Sequence, residues 1–127
     1  MSTDDRHDRV YFGWDFDKTK RFYKENPPVA GDNALIISTQ ASCVTYEIAK
    51  IVRVSAARIY FDKSFGWGGS SFYYSGKNCW SPKGQTRLVP PIDKIVKFIK
   101  RANKVALTFT EFQREDLFKF LDEIGEG

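Results

Sequence analysis

Histidine and cysteine are scarce in this chain, and their scarcity removes whole classes of function. The 127 residues contain one histidine and two cysteines, too few to assemble the four Cys or His ligands of a structural zinc site. A Ser-His-Asp or Cys-His pair would need His7, which lies in a polar stretch at the N-terminus. H-E-x-x-H and P-loop motifs are both missing. The sequence therefore predicts a protein that is not an enzyme and that carries no metal and no cofactor.

Long apolar runs are also missing. No run approaches the roughly 18 residues needed to cross a bilayer, and the opening MSTDDRHDRV has no apolar segment of a signal peptide. In a chain without a secretion signal, Cys43 and Cys79 are expected to be reduced thiols. The sequence thus predicts a cytoplasmic protein with no membrane partner.

Acidic residues are few in the middle of the chain. Residues 42–109 contain 12 Lys or Arg against three acidic residues, whereas residues 110–127 contain two basic and six acidic residues. A basic block of this kind attracts polyanions or acidic proteins. The alternative interpretation is a soluble surface on which the ends of the chain offset its middle.

Aromatic residues are abundant, and eight of the 20 lie between Tyr60 and Trp80. Four glycines are interleaved with them, and glycine is useful where a backbone bends or a partner approaches closely. Aromatic rings supply large, stiff and stackable surface. The pattern predicts two contact segments held between strands: a loop from Lys63 to Ser70, centred on Trp67, and a turn from Gly76 to Lys83.

Hydrophobic periodicity predicts a mixed α+β fold. Residues 1–9 are predicted to be a disordered tail, and residues 10–127 a single domain. An aromatic N-terminal arm leads into a short helix over residues 17–25, capped by Asp15 or Asp17.

The middle of the domain, residues 33–89, is predicted to form a small bent antiparallel sheet or an SH3-like barrel. Its longest β-rich run, Val44 to Ser55, does not alternate cleanly, which predicts a bulge or a strong bend near Lys50. Two C-terminal helices are predicted at about 91–102 and 111–124. The second of these is placed by the capping-box pattern at 110–113.

Three loose motifs occur between residues 29 and 91: Gly31-Asp32 before the first strand, I-x-x-V-x-x-x-x-I-x-F at 51–61, and R-L-V-P at 87–90. In these the chain resembles the small SH3-like β-barrels, in particular the uncharacterised barrel domains of small phage-encoded proteins. The resemblance implies a barrel fold and a phage or mobile-element origin. It brings no catalytic residue with it.

Basic residues interleaved with aromatics are typical of a stacking platform for nucleic acid, in which cations contact phosphates and rings contact bases. The predicted phosphate contacts are Arg53, Arg58, Lys63, Lys77, Lys83 and Arg87. The predicted stacking residues are Tyr60, Trp67, Tyr73 and Trp80. The basic side of the first C-terminal helix is predicted to extend this track through Lys94, Lys97 and Arg101. The competing expectation for each ring is burial in the core.

The sequence favours a non-catalytic binding protein whose partner is nucleic acid. One alternative is a phage-type inhibitor or adaptor that binds a host protein, with Trp67 as the anchor. Another is a nucleotide-sequestering protein. The oligomeric state, monomer or dimer, is left open by the sequence.

Overall fold

Three helices and two small antiparallel sheets make up the part of the chain that the computed structural model describes, residues 10–39, 43–63, 70–79, 86–102 and 109–123. The mixed α+β class is therefore confirmed, while the predicted tail 1–9 lies outside the described residues. Among those described, no helix combines the length and the hydropathy needed to cross a membrane. In chain order the elements are α1 (Phe16–Glu25), β1 (Asn33–Thr39), β2 (Cys43–Lys50), β3 (Arg53–Val54), β4 (Arg58–Tyr60), β5 (Ser71–Tyr73), β6 (Thr86–Val89), α2 (Asp93–Ala102), β7 (Phe109–Gln113) and α3 (Arg114–Glu123).

The larger sheet has the strand order β6-β1-β2-β7 and is covered on both sides. Successive residues of a strand point to opposite sides of a sheet. In β1, Leu35 and Ile37 lie on one side and Ala34 and Ile36 on the other, and all four are buried. The sheet therefore separates two hydrophobic cores.

The first core lies between this sheet and the two later helices. Ile95 and Ile99 of α2 and Leu117 of α3 pack against β1 and β2. The aromatic N-terminal arm closes the same core, since Tyr11 is buried there and the Tyr46 hydroxyl donates to the Val10 carbonyl oxygen at 3.0 Å. The aromatic arm therefore covers one part of the first core.

The second core lies on the opposite side of the sheet, under α1 and the small sheet β3-β4-β5. Ile59 and Phe72 of the small sheet pack with Ile36 and Leu88 of the larger one. Helix α1 adds Tyr23. The helix begins where predicted, because the Asp15 carboxylate accepts a hydrogen bond from the free N–H of Lys18 at 2.7 Å.

One continuous run, residues 43–54, belongs to both sheets. Strand β2 ends at Lys50; the Ile51 N–H then donates to the Asp32 carbonyl oxygen, next to β1, and the Val52 N–H donates to the Tyr60 carbonyl oxygen in β4. The bend predicted near Lys50 is thus confirmed, and it transfers the chain from one sheet to the other.

At their other end the two sheets are linked by isolated bridges, Phe72 to Asn78 and Lys77 to Arg87. These are single bridges and not paired strands, so the sheets stay open and the SH3-like barrel is not confirmed.

The predicted start of the last helix is wrong. Residues 110–113, which carry the capping-box pattern, belong to strand β7, and α3 begins only at Arg114. Strand β7 pairs with β2, for example through Val44 and Phe112. A capping box offers two local hydrogen bonds. In antiparallel pairing with a sheet edge, every second residue of the strand forms hydrogen bonds through both its N–H and its carbonyl oxygen. The longer-range pairing determines the structure here.

Gly76 provides a test of how the two sheets meet. It has a φ of +90°, and a Cβ at this position would overlap the Leu88 carbonyl oxygen of β6. We expect Gly76→Ala to lower the free energy of unfolding by about 3 kcal/mol or more, because it adds a backbone clash to an unfavourable φ. Gly31→Ala is the matched control, since its φ is +98° but no atom lies within 4 Å of the added Cβ. Its expected cost is about 1–2 kcal/mol. Equal losses in urea unfolding would contradict the close approach.

Alkaline titration tests the burial of two tyrosines. Burial raises the pKa of Tyr46 well above the ordinary phenol value of 10.0, with a smaller contribution from Tyr11, and burial likewise raises the pKa of Tyr23. The folded state therefore holds these two protons more tightly than the unfolded chain, so their contribution to stability is present below pH about 10 and is lost as the pH rises further. We expect the phenolate absorbance of both residues to appear only together with the loss of near-ultraviolet circular dichroism. Ionisation of all six tyrosines in a protein that stays folded would contradict this.

Candidate functional site

The outer side of the small sheet gathers four of the residues predicted to bind a ligand. Within β4, Arg58 and Tyr60 lie on the side opposite the buried Ile59. Antiparallel pairing places Arg53 across from Tyr60 and Tyr73 across from Arg58. Paired residues share a side of the sheet, so these four form one surface. We call Arg53, Arg58, Tyr60 and Tyr73 the arginine–tyrosine face.

Each arginine of this face lies over a tyrosine. The guanidinium carbon of Arg53 is 3.8 Å from the centre of the Tyr60 ring, and that of Arg58 is 5.7 Å from the centre of the Tyr73 ring. A guanidinium stacked on a ring gains a cation–π interaction while the N–H groups at its rim remain available as donors. The face therefore presents aligned donors and rings at the same time.

The two arginines of the arginine–tyrosine face are not held in ion pairs. Within the described part of the chain, neither Arg53 nor Arg58 forms an ion pair with a carboxylate. Both side chains are exposed, and Tyr73, at 36% exposure, is one of three large hydrophobic residues open to solvent in the described ranges. An anion that approaches this face meets two guanidinium groups without displacing an acidic side chain.

A row of residues across the strands continues from this face toward the larger sheet. The Tyr73 N–H donates to the Lys77 carbonyl oxygen at 2.9 Å, and Lys77 in turn bridges Arg87. Lys77 is half-buried, with its ammonium 5.2 Å from the centre of the Phe16 ring. Lys77 therefore lies where the row that begins at the arginine–tyrosine face reaches the larger sheet.

Arg87 has a different role. Its guanidinium carbon lies 4.0 Å from the centre of the Tyr11 ring and 4.6 Å from that of Phe16, and the side chain is half-buried. These contacts hold the N-terminal arm and the start of α1 against β6. We assign Arg87 to the support of the fold, not to the exposed face.

A shallow pocket of about 350 Å³ adjoins the face. Tyr73 and Lys20 are among its lining residues, together with Tyr74, whose hydroxyl donates to the Ser55 carbonyl oxygen at 2.7 Å. Lys20 was not among the residues predicted from the sequence. The helix pattern over 17–25 was visible, but nothing local connects that helix to a strand fifty residues later.

The other predicted residues do not join this surface. Lys63 forms an ion pair with Glu47 of β2. Lys94, Lys97 and Arg101 lie on α2, which packs against the opposite side of the larger sheet from β3-β4-β5, so they do not extend the track as predicted. Three predicted contacts lie outside the described residues: Trp67, Trp80 and Lys83.

The competing expectation of core burial is correct for some rings of the glycine-aromatic segment. Phe61 and Phe72 are buried and meet edge to face, with ring centres 5.7 Å apart. Tyr60 is half-buried, and Tyr73 is exposed. Alternation along the strands thus divides the rings between the core and the outer surface.

Comparisons with protein-family models, with curated proteins and with solved structures gave no match. The site is therefore defined by its geometry. Within the described ranges, no three His, Cys, Asp or Glu side chains come together in a way that could hold a metal ion, and neither Cys43 nor Cys79 forms a disulfide.

A double-mutant cycle tests whether the stacking on this face is an interaction or only proximity. With Arg53→Gln, Tyr60→Leu and the double variant, we expect a coupling free energy of about 0.5–1 kcal/mol in urea unfolding. The cycle on Arg58 and Tyr73 is the matched control, because the longer distance predicts a smaller coupling. No coupling in the first pair, or a larger one in the second, would count against the stacking geometry.

Proposed function

We propose that the protein is a non-catalytic binding protein that holds single-stranded nucleic acid on the arginine–tyrosine face. The observation that supports this most directly is the alternation of exposed arginines with one half-buried and one exposed tyrosine across three strands, with no carboxylate of the described residues paired to either arginine. Cations that contact phosphates and rings that stack on bases are the two components of single-strand binding.

The geometry favours a single strand over a duplex. Tyr73 is the most exposed ring of the face, and a ring stacks on a base only when that base is free of its own neighbours. Arg53 and Arg58 can each turn N–H donors toward a phosphate while they remain stacked on tyrosine. Every base has a π-face, so this mode of binding is tolerant of sequence.

The salt dependence of binding follows from the number of cations. Arg53, Arg58 and Lys77 give about three phosphate contacts, so the logarithm of the association constant should fall with the logarithm of salt concentration with a slope of about −2. Between about 50 mM and 200 mM salt this amounts to roughly a twentyfold loss of affinity. Fluorescence anisotropy with a short labelled oligothymidylate measures it.

Two double variants of equal charge change identify the surface. We expect Arg53→Gln/Arg58→Gln to weaken binding of the oligonucleotide by at least about tenfold. The matched control, Lys97→Gln/Arg101→Gln, removes the same charge from exposed positions of α2, across the larger sheet from the face. The control should change affinity by about twofold or less, because distant charges are screened. Equal losses in the two variants would mean that net charge alone drives the association, and no binding at low salt would exclude the proposed function.

The other functions predicted from the sequence stay predictions. Binding of a host protein was assigned to Trp67, which lies outside the described residues, and the resemblance to phage-encoded barrels has no further support. If the oligonucleotide does not bind while a host-cell extract yields one stoichiometric partner whose retention requires Arg53 and Arg58, the same face serves protein binding instead.

A further inference from the structure

A second concave site lies away from the arginine–tyrosine face, at the C-terminal end of α1. It has a volume of about 710 Å³, within the usual range for small-molecule sites. Two proline pairs form part of its wall, residues 27–28 and residues 90–91, and apolar surface is added by Phe22 and Ile51. We call this site the proline cleft. Prolines and a capped helix end lose little conformational freedom when a ligand binds, because they are already constrained.

A buried hydroxyl of the cleft wall has no hydrogen-bond partner. Tyr23 lines the cleft and is only 5% exposed, and its hydroxyl is the one buried side-chain polar atom without a partner among the described residues. The hydroxyls of Tyr46 and Tyr74, by contrast, each donate to a backbone carbonyl oxygen. An unsatisfied buried hydroxyl is destabilising, and a bound molecule that forms a hydrogen bond with it lowers that cost.

The lining of the proline cleft is acidic, while Lys24 in the last turn of α1 is not among the lining residues. The charged lining residues are the carboxylates Glu25 and Asp32. The C-terminal end of α1 adds the partial negative charge of the helix dipole. The start of α2 follows Ile92, another lining residue, and Asp93 in the first turn offsets the positive end of the α2 dipole.

Asp32 is fixed in place beside the cleft. Its Oδ2 accepts a hydrogen bond from the Val29 N–H at 3.1 Å, and no bond of its Oδ1 occurs within the described ranges. Burial raises the pKa of Tyr23, and the nearby Asp32 charge raises it further, so the phenol stays neutral, with one O–H donor and an oxygen that accepts. The cleft thus offers a carboxylate oxygen and a phenol oxygen together with apolar walls.

We propose that the proline cleft binds a small organic ammonium ion with an aromatic or alicyclic body. The body packs on the prolines, Phe22 and Ile51, while the ammonium group is attracted by Asp32 and Glu25 and donates a hydrogen bond to Tyr23. Because the Tyr23 oxygen is closed off from solvent, the ligand reaches it by displacing part of the wall. This site is independent of the nucleic-acid face, and it would take a ligand of opposite charge.

Ligand pairs of equal shape and different charge test the proposal on the full chain. Benzylammonium, phenethylammonium and cyclohexylammonium are each titrated beside the alcohol of the same skeleton, with amide chemical shifts as the measurement. We expect at least one ammonium compound to bind at least fivefold more tightly than its alcohol, with the largest shifts at residues of the cleft. If no ammonium compound binds, or if the alcohols bind equally well, the proposal is overturned.

Two variants then separate charge from the hydrogen bond. Glu25→Gln, at an exposed position, should weaken binding of the ammonium compound several-fold and leave binding of the alcohol unchanged. Tyr23→Phe should raise the melting temperature of the free protein, because it removes an unsatisfied hydroxyl. The same variant should bind the ammonium compound more weakly. An unchanged affinity in either variant would overturn the proposed recognition. The oligonucleotide affinity serves as the independent readout, and it should remain the same in both variants.

Discussion

The arrangement of the whole described structure depends on two adjacent backbone N–H groups that donate to different sheets. The Ile51 N–H donates beside β1 and the Val52 N–H donates to β4, so the chain leaves one sheet and enters the next within a single residue. The second core forms in the angle between those sheets. The same turn gives the small sheet its exposed outer side and places Ile51 in the wall of the proline cleft. Both candidate sites are therefore products of one change in hydrogen-bond partner.

The two sites are built from different chemistry. The arginine–tyrosine face is basic and open, and its guanidinium groups stack on tyrosine rings across the strands. The proline cleft is concave and acidic, and it depends on constrained backbone and on a phenol without a partner. The two sites attract ligands of opposite charge. Added salt weakens the ion contacts at each site, whereas the apolar walls of the cleft are much less sensitive to it.

Local patterns were sufficient to predict the features that local physics controls. The broken alternation near Lys50 predicted the bend, and Asp15 was one of two residues expected to cap the first helix. Features set by long-range pairing were not predicted. Strand β7 forms because the edge of β2 is open to it, and the local capping-box pattern carries no information about that edge. The proline cleft unites residues from 22 to 92, and neither Lys20 near Tyr73 nor α2 across the sheet follows from sequence spacing. Which of these residues come close together in space depends on strand register and on the packing of the two sheets.

The aromatic arm at the start of the chain has a consequence for synthesis. The Phe12 ring packs against Phe98, which is synthesised 86 residues later. The ring of Tyr11 lies under the guanidinium of Arg87, which is also made much later. At about 5–20 residues per second, the arm spends several seconds as exposed aromatic surface before its partners exist. The last third of the chain therefore decides when the first residues are protected, and a slow or interrupted translation lengthens the period in which the arm is open to chaperones and to aggregation.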